Sequence, residues 1–260
     1  MIPPPTVASA PSVWRDGAWR PGHRLVAEET PIALSYNRLS HAVMFATPAD
    51  LADFALGFSL AEGIVDHPGQ IGRLDIVTPG EGVELRMTID HALMARLETR
   101  RRRLAGATGC GLCGLESLDA AMRPPPRVGA APDWSAKAIE AAIAVLRPHQ
   151  VLGRETHATH AAAFWTEAEG LVALREDVGR HNALDKLRGA LAVRGVDVSA
   201  GIVALSSRIS VELVQKAAGM GAGLVVAVSA PTALALRTAK AAGITIAAVA
   251  RDDGFELYRP

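Results

Sequence analysis

The chain has 260 residues but only two thiols, Cys110 and Cys113, set two residues apart in Gly109-Cys110-Gly111-Leu112-Cys113-Gly114. Glycine on three flanks removes side-chain bulk and frees the backbone, so a sulfur there can be approached from outside and the loop can swing. A thiolate is the species that attacks sulfur or binds metal, and Arg100-Arg101-Arg102-Arg103 upstream favours the anion. The same arginines also complement the dipole at a helix end, which needs no chemistry. A secreted disulfide scaffold shows several pairs at wider spacing, so this pair points to reactivity or to metal.

Four chemistries compete for the pair. A thioredoxin-like redox site places its cysteines at a helix start after an N-terminal strand, whereas these lie mid-chain among glycines. A structural zinc site would complete two sulfurs with His157 and His160. A zinc deaminase needs an upstream His-x-Glu, and no histidine here is followed by Glu two positions later. Sulfur chemistry on the thiols themselves needs neither metal nor a histidine at fixed spacing. Composition alone leaves zinc and sulfur chemistry both open.

The elements that must position these thiols are partly legible. Residues 1–22 are rich in Pro, Gly and Ala without periodicity and read as a weakly ordered arm. A smaller α+β domain is expected over 23–104. In it, Thr47 reads as an N-cap with Pro48 at the first helical position, and Leu51, Phe54, Ala55 and Phe58 share one face of a helix running to about Glu62. Val83, Leu85, Met87 and Ile89 alternate with Glu84, Arg86 and Thr88 as a strand with one wet face. Asp90 then caps a helix carrying Leu93 and Leu97. Residues 105–133 form a glycine- and proline-rich linker holding the cysteines, expected to be mobile.

Beyond it, residues 134–260 predict an α/β layer architecture. Ile139, Ala142, Ile143 and Leu146 make a helical stripe stopped by Pro148. Strands are expected near 171–175, 201–206, 223–228 and 244–249, with helices near 181–194, 208–219 and 231–242. The runs at 201–205 and 224–228 are continuously apolar, as in sheet interior covered on both faces. The glycine run at 219–223 follows a helix and precedes a strand, the reverse of a dinucleotide fingerprint, and no P-loop segment exists.

Lys plus Arg and Asp plus Glu are 27 each, giving zero formal charge and no global field toward nucleic acid or anionic lipid. No window approaches the roughly 18 uninterrupted apolar residues of a membrane span. The start Met1-Ile2-Pro3-Pro4-Pro5 has no basic segment followed by an apolar run, so a cytoplasmic location is expected.

Four ordered segments carry a resemblance. They are Cys110-Gly111-Leu112-Cys113-Gly114, the run 176–186 that begins Glu176-Asp177-Val178-Gly179-Arg180-His181-Asn182, then Ser206-Ser207-Arg208-Ile209-Ser210, and Ser229-Ala230-Pro231-Thr232-Ala233-Leu234-Ala235. Over about residues 25–258 the chain resembles the formate dehydrogenase accessory sulfurtransferase family, FdhD. The resemblance implies a carrier that takes persulfide sulfur from a cysteine desulfurase and passes it to the molybdenum bis-guanine dinucleotide cofactor that formate dehydrogenase apoenzyme receives. By matching position, Cys110 would bear the persulfide and Cys113 would relay or resolve it. The resemblance also implies a cytidine-deaminase-like fold without its zinc, a homodimer, and no tightly bound metal of its own. A guanine-nucleotide pocket is implied at Val249, Ala250, Arg251, Asp252, Asp253 and Gly254.

One departure stands out. In Thr156-His157-Ala158-Thr159-His160 the family usually has glycine where this chain has His157, and His160 aligns with a common histidine. Elsewhere, ligands of open α/β sheets sit at the carboxyl ends of strands, where helix N-termini offer free N–H groups to anions. Ser206, Ser207 and Arg208, then Ser229 and Thr232, then Arg180, His181 and Asn182 are all expected there, with hydroxyls, amides and arginines suited to phosphate. Ordinary capping accounts for the serines and the threonine equally well.

Overall fold

The computed structural model describes residues 1–105, 124–129, 132–251 and 253–260, with the backbone alone for residues 100–105. Cys110, Cys113 and Asp252, and with them the expected mobile loop, lie outside the described residues.

Residues 1–22 differ from the expectation of a weakly ordered arm. Strands β1 (Thr6–Ser9) and β4 (Arg24–Ala27) pair antiparallel, and between them β2 (Ser12–Arg15) pairs with β3 (Ala18–Pro21). The turn is Asp16-Gly17, both at positive φ (52° and 76°), the two-residue geometry that matches strand twist. Trp14 and Trp19 face each other across this ribbon with ring centroids 5.4 Å apart. The Asp-Gly pair is the local signal, and composition masked it. The ribbon meets the body through Arg24, whose guanidinium donates to the Thr156 carbonyl at 2.8 Å.

Next, β5 (Thr30–Tyr36) and β6 (Leu39–Ala46) form a hairpin, followed by α1 (Leu51–Ala61), β7 (Arg73–Val77), β8 (Val83–Thr88) and α2 (His91–Ala105). The four strands lie in the order β6-β5-β8-β7, with β5 and β8 parallel. Val83, Leu85 and Met87 point into the core, and Asp90 accepts from the Leu93 N–H at 2.8 Å, capping α2 as its sequence predicts.

The start of α1 is corrected. Thr47 is not its N-cap and Pro48 is not its first residue, because the helix begins three residues later at Leu51, with Asp50 in the left-handed region and making no side-chain cap. Thr47 is spent elsewhere, as described below. The helix is also buried on more than one face: Gly57, Ser59 and Leu60 are covered along with Leu51, Phe54, Ala55 and Phe58. Its second face meets α6 (Arg180–Val193). A Cβ on Gly57 would collide with the Asp185 carbonyl, and one on Gly189 with the Asp53 carbonyl, so the two helices touch backbone to backbone.

The second half builds one mixed six-stranded sheet. After α3 (Ala136–Ala144), α4 (Leu146–His149) and α5 (Val151–Thr156) come β9 (His160–Thr166) and β10 (Gly170–Asp177). Beyond α6 follow β11 (Ile202–Leu205), α7 (Val211–Met220), β12 (Leu224–Ala227), α8 (Ala233–Ala242), β13 (Thr245–Arg251) and β14 (Gly254–Tyr258). The order is β10-β9-β11-β12-β13-β14, with β11, β12 and β13 parallel and the remaining pairs antiparallel. On one face α6, α7 and α8 cover Phe164, Val203, Leu205, Val225 and Ile246. On the other, α3 and α4 cover Ala163, Trp165, Ile202, Ala204 and Val226. The continuously apolar strands are therefore sheet interior, as their sequences predict. Helix α7 starts at Val211 rather than 208, and β9 and β14 have no counterpart among the expected strands.

Candidate functional site

The carboxyl ends of β11, β12 and β13 gather most of the candidate residues along one edge. Because β9 runs antiparallel to β11, its first residue, His160, comes to the same edge, paired with Asp177 at the end of β10. Helix α6 starts there with Arg180 and His181. The β11–α7 and β12–α8 loops lie side by side: Ile209 and Pro231 form an isolated parallel bridge, and the Thr232 N–H donates to the Ile209 carbonyl at 3.0 Å. The β13 end closes the row, with the Val249 N–H reaching the Ser229 carbonyl at 3.3 Å.

Three arginines give this edge its charge. Arg180 is partly buried, and its Nε is sealed from solvent with no hydrogen-bond partner among the described residues. A guanidinium N–H left that way costs free energy unless a ligand, water or other acceptor takes it. Arg208 and Arg251 are exposed. In the first turn of α6, His181 Nε2 stands 3.1 Å from Glu212 Oε2 and 3.4 Å from Ser210 Oγ, and that hydroxyl donates to the same carboxylate oxygen at 3.1 Å. Burial, then the Arg180 charge, pulls His181 below the ordinary histidine range, with Glu212 opposing. His160 is lowered by the same two causes in the same order. Both imidazoles are therefore shifted toward the neutral form.

Several sequence candidates turn out to be committed to the fold. Ser206 Oγ accepts from the Ala161 N–H at 2.7 Å, stitching β11 to β9. Ser207 is buried and donates to the Arg208 carbonyl at 2.9 Å. Thr232 caps α8 by accepting from the Ala235 N–H at 3.2 Å, the ordinary use of a threonine at that position. Asn182 is buried and gives its amide to the Phe45 carbonyl at 2.9 Å and to Asp177 Oδ1 at 3.1 Å, so it faces the first sheet rather than the open edge. Ala250 is buried against α3, whereas Asp253 is exposed and Gly254 partly so.

Val249 adopts φ 52°, a left-handed backbone that a β-branched residue rarely takes, at a register shift between β13 and β14. Strain of this kind costs on the order of 1–3 kcal/mol and persists only where neighbours over-determine it. Packing of the Val249 side chain against the α6–α8 core supplies that constraint.

Much of the run 176–186 proves to be a clamp that holds this edge. Lys186 and Asp177 form a fully buried ion pair at 2.7 Å, and Lys186 also donates to the Thr47 carbonyl at 2.8 Å. Asp177 accepts from the Thr47 N–H at 3.0 Å and the Gly179 N–H at 2.8 Å, while Thr47 Oγ1 accepts from the Val178 N–H at 3.1 Å. Glu176 caps the short helix α5, accepting from Leu152 and Gly153 N–H groups at 2.9 and 2.7 Å and from Thr159 Oγ1 at 3.0 Å. Arg175 adds an ion pair to Asp53 at 2.7 Å. Sequence reasoning missed Glu212, whose only local signal is its place two residues after Ser210.

His157 occupies the left-handed region, φ 57°, at the C-terminus of α5, and it is exposed. That conformation is one glycine adopts without steric cost. Among the described residues no group of three or more His, Cys, Asp or Glu side chains is arranged to hold a metal ion. No described helix is long and apolar enough to cross a membrane.

The sequence profile of the FdhD/NarQ family matches residues 27–260. A Cupriavidus necator protein named sulfur carrier protein FdhD is 52% identical over 257 residues, covering 98% of this chain and 89% of that protein. An Agrobacterium fabrum protein of the same name is 48% identical over 245 residues, covering 94% and 90% respectively. The fold is shared with the crystal structure of a Desulfotalea psychrophila protein proposed as a formate dehydrogenase accessory protein. Its TM-score is 0.74 at 23% identity, with 99% of this chain and 98% of that one covered.

Proposed function

Because the chain belongs to the FdhD/NarQ family, we propose that it is a sulfur carrier that takes persulfide sulfur from a cysteine desulfurase and delivers it to the molybdenum bis-guanine dinucleotide cofactor destined for formate dehydrogenase. The observation that carries this reading is close identity, along nearly the whole chain, to proteins named as sulfur carriers. The cofactor is the substrate of the transfer, and a soluble homodimer of the cytoplasm is the form expected to act. Phosphates of such a substrate need cationic donors at strand ends, and the unpartnered Arg180 Nε with exposed Arg208 and Arg251 fits that need. His160 and His181, shifted toward the neutral form, offer ring nitrogens that can donate or accept a hydrogen bond there.

The transfer itself rests on Cys110. Its thiolate attacks the outer sulfur of the donor persulfide, forming a new sulfur–sulfur bond and releasing the donor cysteine as thiolate, a step governed by thiolate fraction and access. Cys113 can then attack the inner sulfur of the Cys110 persulfide. That closes a Cys110–Cys113 disulfide and releases the terminal sulfur as sulfide to the molybdenum substrate, and a dithiol reductant must reopen the disulfide. Val249, Ala250, Arg251, Asp252, Asp253 and Gly254 form the proposed nucleotide end of the substrate site.

Intact-mass spectrometry after incubation with a cysteine desulfurase and cysteine tests this reading. The expected result is a gain of one sulfur atom, lost on reduction and absent in Cys110→Ala. Full cellular formate dehydrogenase activity in a Cys110→Ala strain refutes it. A zinc-stabilised nucleotide-binding module built on Cys110, Cys113, His157 and His160 is the alternative, and stoichiometric zinc in purified protein would favour it.

A further inference from the structure

The start of α7 departs from ordinary helix chemistry in two places. Ser210 is its N-cap, where a serine usually accepts from a backbone N–H of the first turn, yet it makes no side-chain cap. Its hydroxyl donates instead to Glu212 Oε2 at 3.1 Å. Glu212 has Lys216 one turn further along α7, the ordinary ion-pair partner for a helical glutamate. Lys216, however, donates to both carboxylate oxygens of Asp185 at 2.7 and 2.8 Å, and Glu212 stands 3.1 Å from His181 Nε2 on α6. A carboxylate in the first turn complements the helix dipole whichever way it points, so the dipole does not account for its turning to His181.

Both neighbours of His181 Nε2 require it to be a donor. A carboxylate only accepts, and the single proton of the Ser210 hydroxyl is already given to Glu212. Burial, then Arg180 and, more weakly, Lys216 shift the ring toward the neutral form, with Glu212 opposing. A neutral ring that carries its proton on Nε2 keeps a lone pair on Nδ1. Among the described residues nothing donates to that nitrogen. Arg180, Arg208 and Arg251 supply only donors to this edge, so Nδ1 adds what they lack, an acceptor.

We infer that Glu212 is a positioning residue of the substrate site: with Ser210 it fixes His181 in the Nε2–H tautomer, so that Nδ1 accepts a hydrogen bond from an N–H or O–H group of a bound guanine nucleotide. The inference rests on the proposed reading of this edge as the place where the substrate binds. A carboxylate acting only through its charge would repel phosphates there, and its removal would strengthen their binding. Acting through His181 gives the opposite sign. Without Glu212 the ring is free to turn or to take the other tautomer, which puts a donor where the nucleotide needs an acceptor.

Nuclear magnetic resonance and calorimetry on the full chain test it. Long-range proton–nitrogen correlation spectra of histidine-labelled protein, recorded without ligand, are expected to show His181 Nδ1 unprotonated, and Glu212→Ala is expected to give a mixture of tautomers. Titration with guanosine diphosphate is expected to show binding weakened about fivefold in Glu212→Ala, the worth of one hydrogen bond. Glu212→Gln, whose amide oxygen still accepts from Nε2–H, should recover most of that loss, and in a His181→Ala background Glu212→Ala should weaken binding no further. A protonated Nδ1 in the unsubstituted chain, tighter or unchanged binding in Glu212→Ala, equal losses in Glu212→Ala and Glu212→Gln, or a fully additive loss in the double variant overturns the assignment. Absence of nucleotide binding by the unsubstituted chain overturns instead the substrate-site reading beneath it, and the ligand-free spectrum tells the two failures apart.

Discussion

Replacing Lys186 by methionine removes the cation from a site where both partners have zero solvent exposure. Methionine keeps the length and apolar stem of lysine, so the volume change is small. What remains is an Asp177 carboxylate without its counter-ion, and breaking one side of a buried pair costs about 3–5 kcal/mol. Asp177 retains N–H donors from Thr47, Gly179 and Asn182, and the Thr47 carbonyl retains the Ala49 N–H. Those contacts place the expected loss near the lower end, at about 3 kcal/mol. Urea unfolding followed by far-ultraviolet circular dichroism measures it. Adding Asp177→Asn to Lys186→Met removes the orphaned charge, so the double variant should recover a substantial part of the loss, a coupling that a simple packing defect does not produce. A loss below about 1 kcal/mol for Lys186→Met, with no recovery in the double variant, would refute the view that this pair is a main support of the clamp.

Other perturbations probe separate links. Gly57→Ala puts a methyl group against backbone rather than a flexible side chain, so it should cost about 1–3 kcal/mol or more by the same unfolding measurement; Gly63→Ala, which meets no close neighbour but sits at positive φ, should instead show only a backbone cost of about 1 kcal/mol. His157→Gly relieves a left-handed conformation at an exposed helix end and should stabilise the chain by up to about 1 kcal/mol; a destabilised variant would mean that the imidazole makes contacts that matter. Folded-state burial and Arg180 lower the histidine pKa values of His160 and His181, so the unfolded chain takes up protons first as pH falls below the ordinary value of 6.5. Stability is therefore full above that value and declines as pH drops through it, and His160→Gln should flatten the decline between about pH 7 and about pH 5 in urea midpoints.

Legibility from sequence was greatest where one physical signal dominated. The apolar runs at 202–205 and 224–227 became interior strands because nothing but burial on two faces accommodates them. Asp90 capped its helix because the donor it serves, the Leu93 N–H, is only three residues away and is encoded locally. Thr47 failed as a cap for the opposite reason: the N–H of Val178, 131 positions away, claims its hydroxyl oxygen, and no local pattern encodes that. The ribbon over Thr6–Ala27 was hidden because its composition suggested disorder while its Asp16-Gly17 turn specified pairing. At the candidate edge, Arg180 and His181 were legible as excess polar groups at a strand-to-helix turn. Asn182 was not, since which way a side chain leaves the first turn of a helix depends on what lies behind it.

The crossing of α1 and α6 has a wider consequence. Where Gly57 and Gly189 meet the opposing main chain, there are no side-chain rotamers to readjust, so the seam is either seated or parted. The two sheets should thus unfold in a single cooperative step, and a fragment ending near residue 105 would leave Gly57 and the Asp53 carbonyl without their opposing main chain. Drift at this seam is also constrained: an enlarged residue on either helix cannot be rescued by trimming a neighbouring side chain, because what it strikes is peptide.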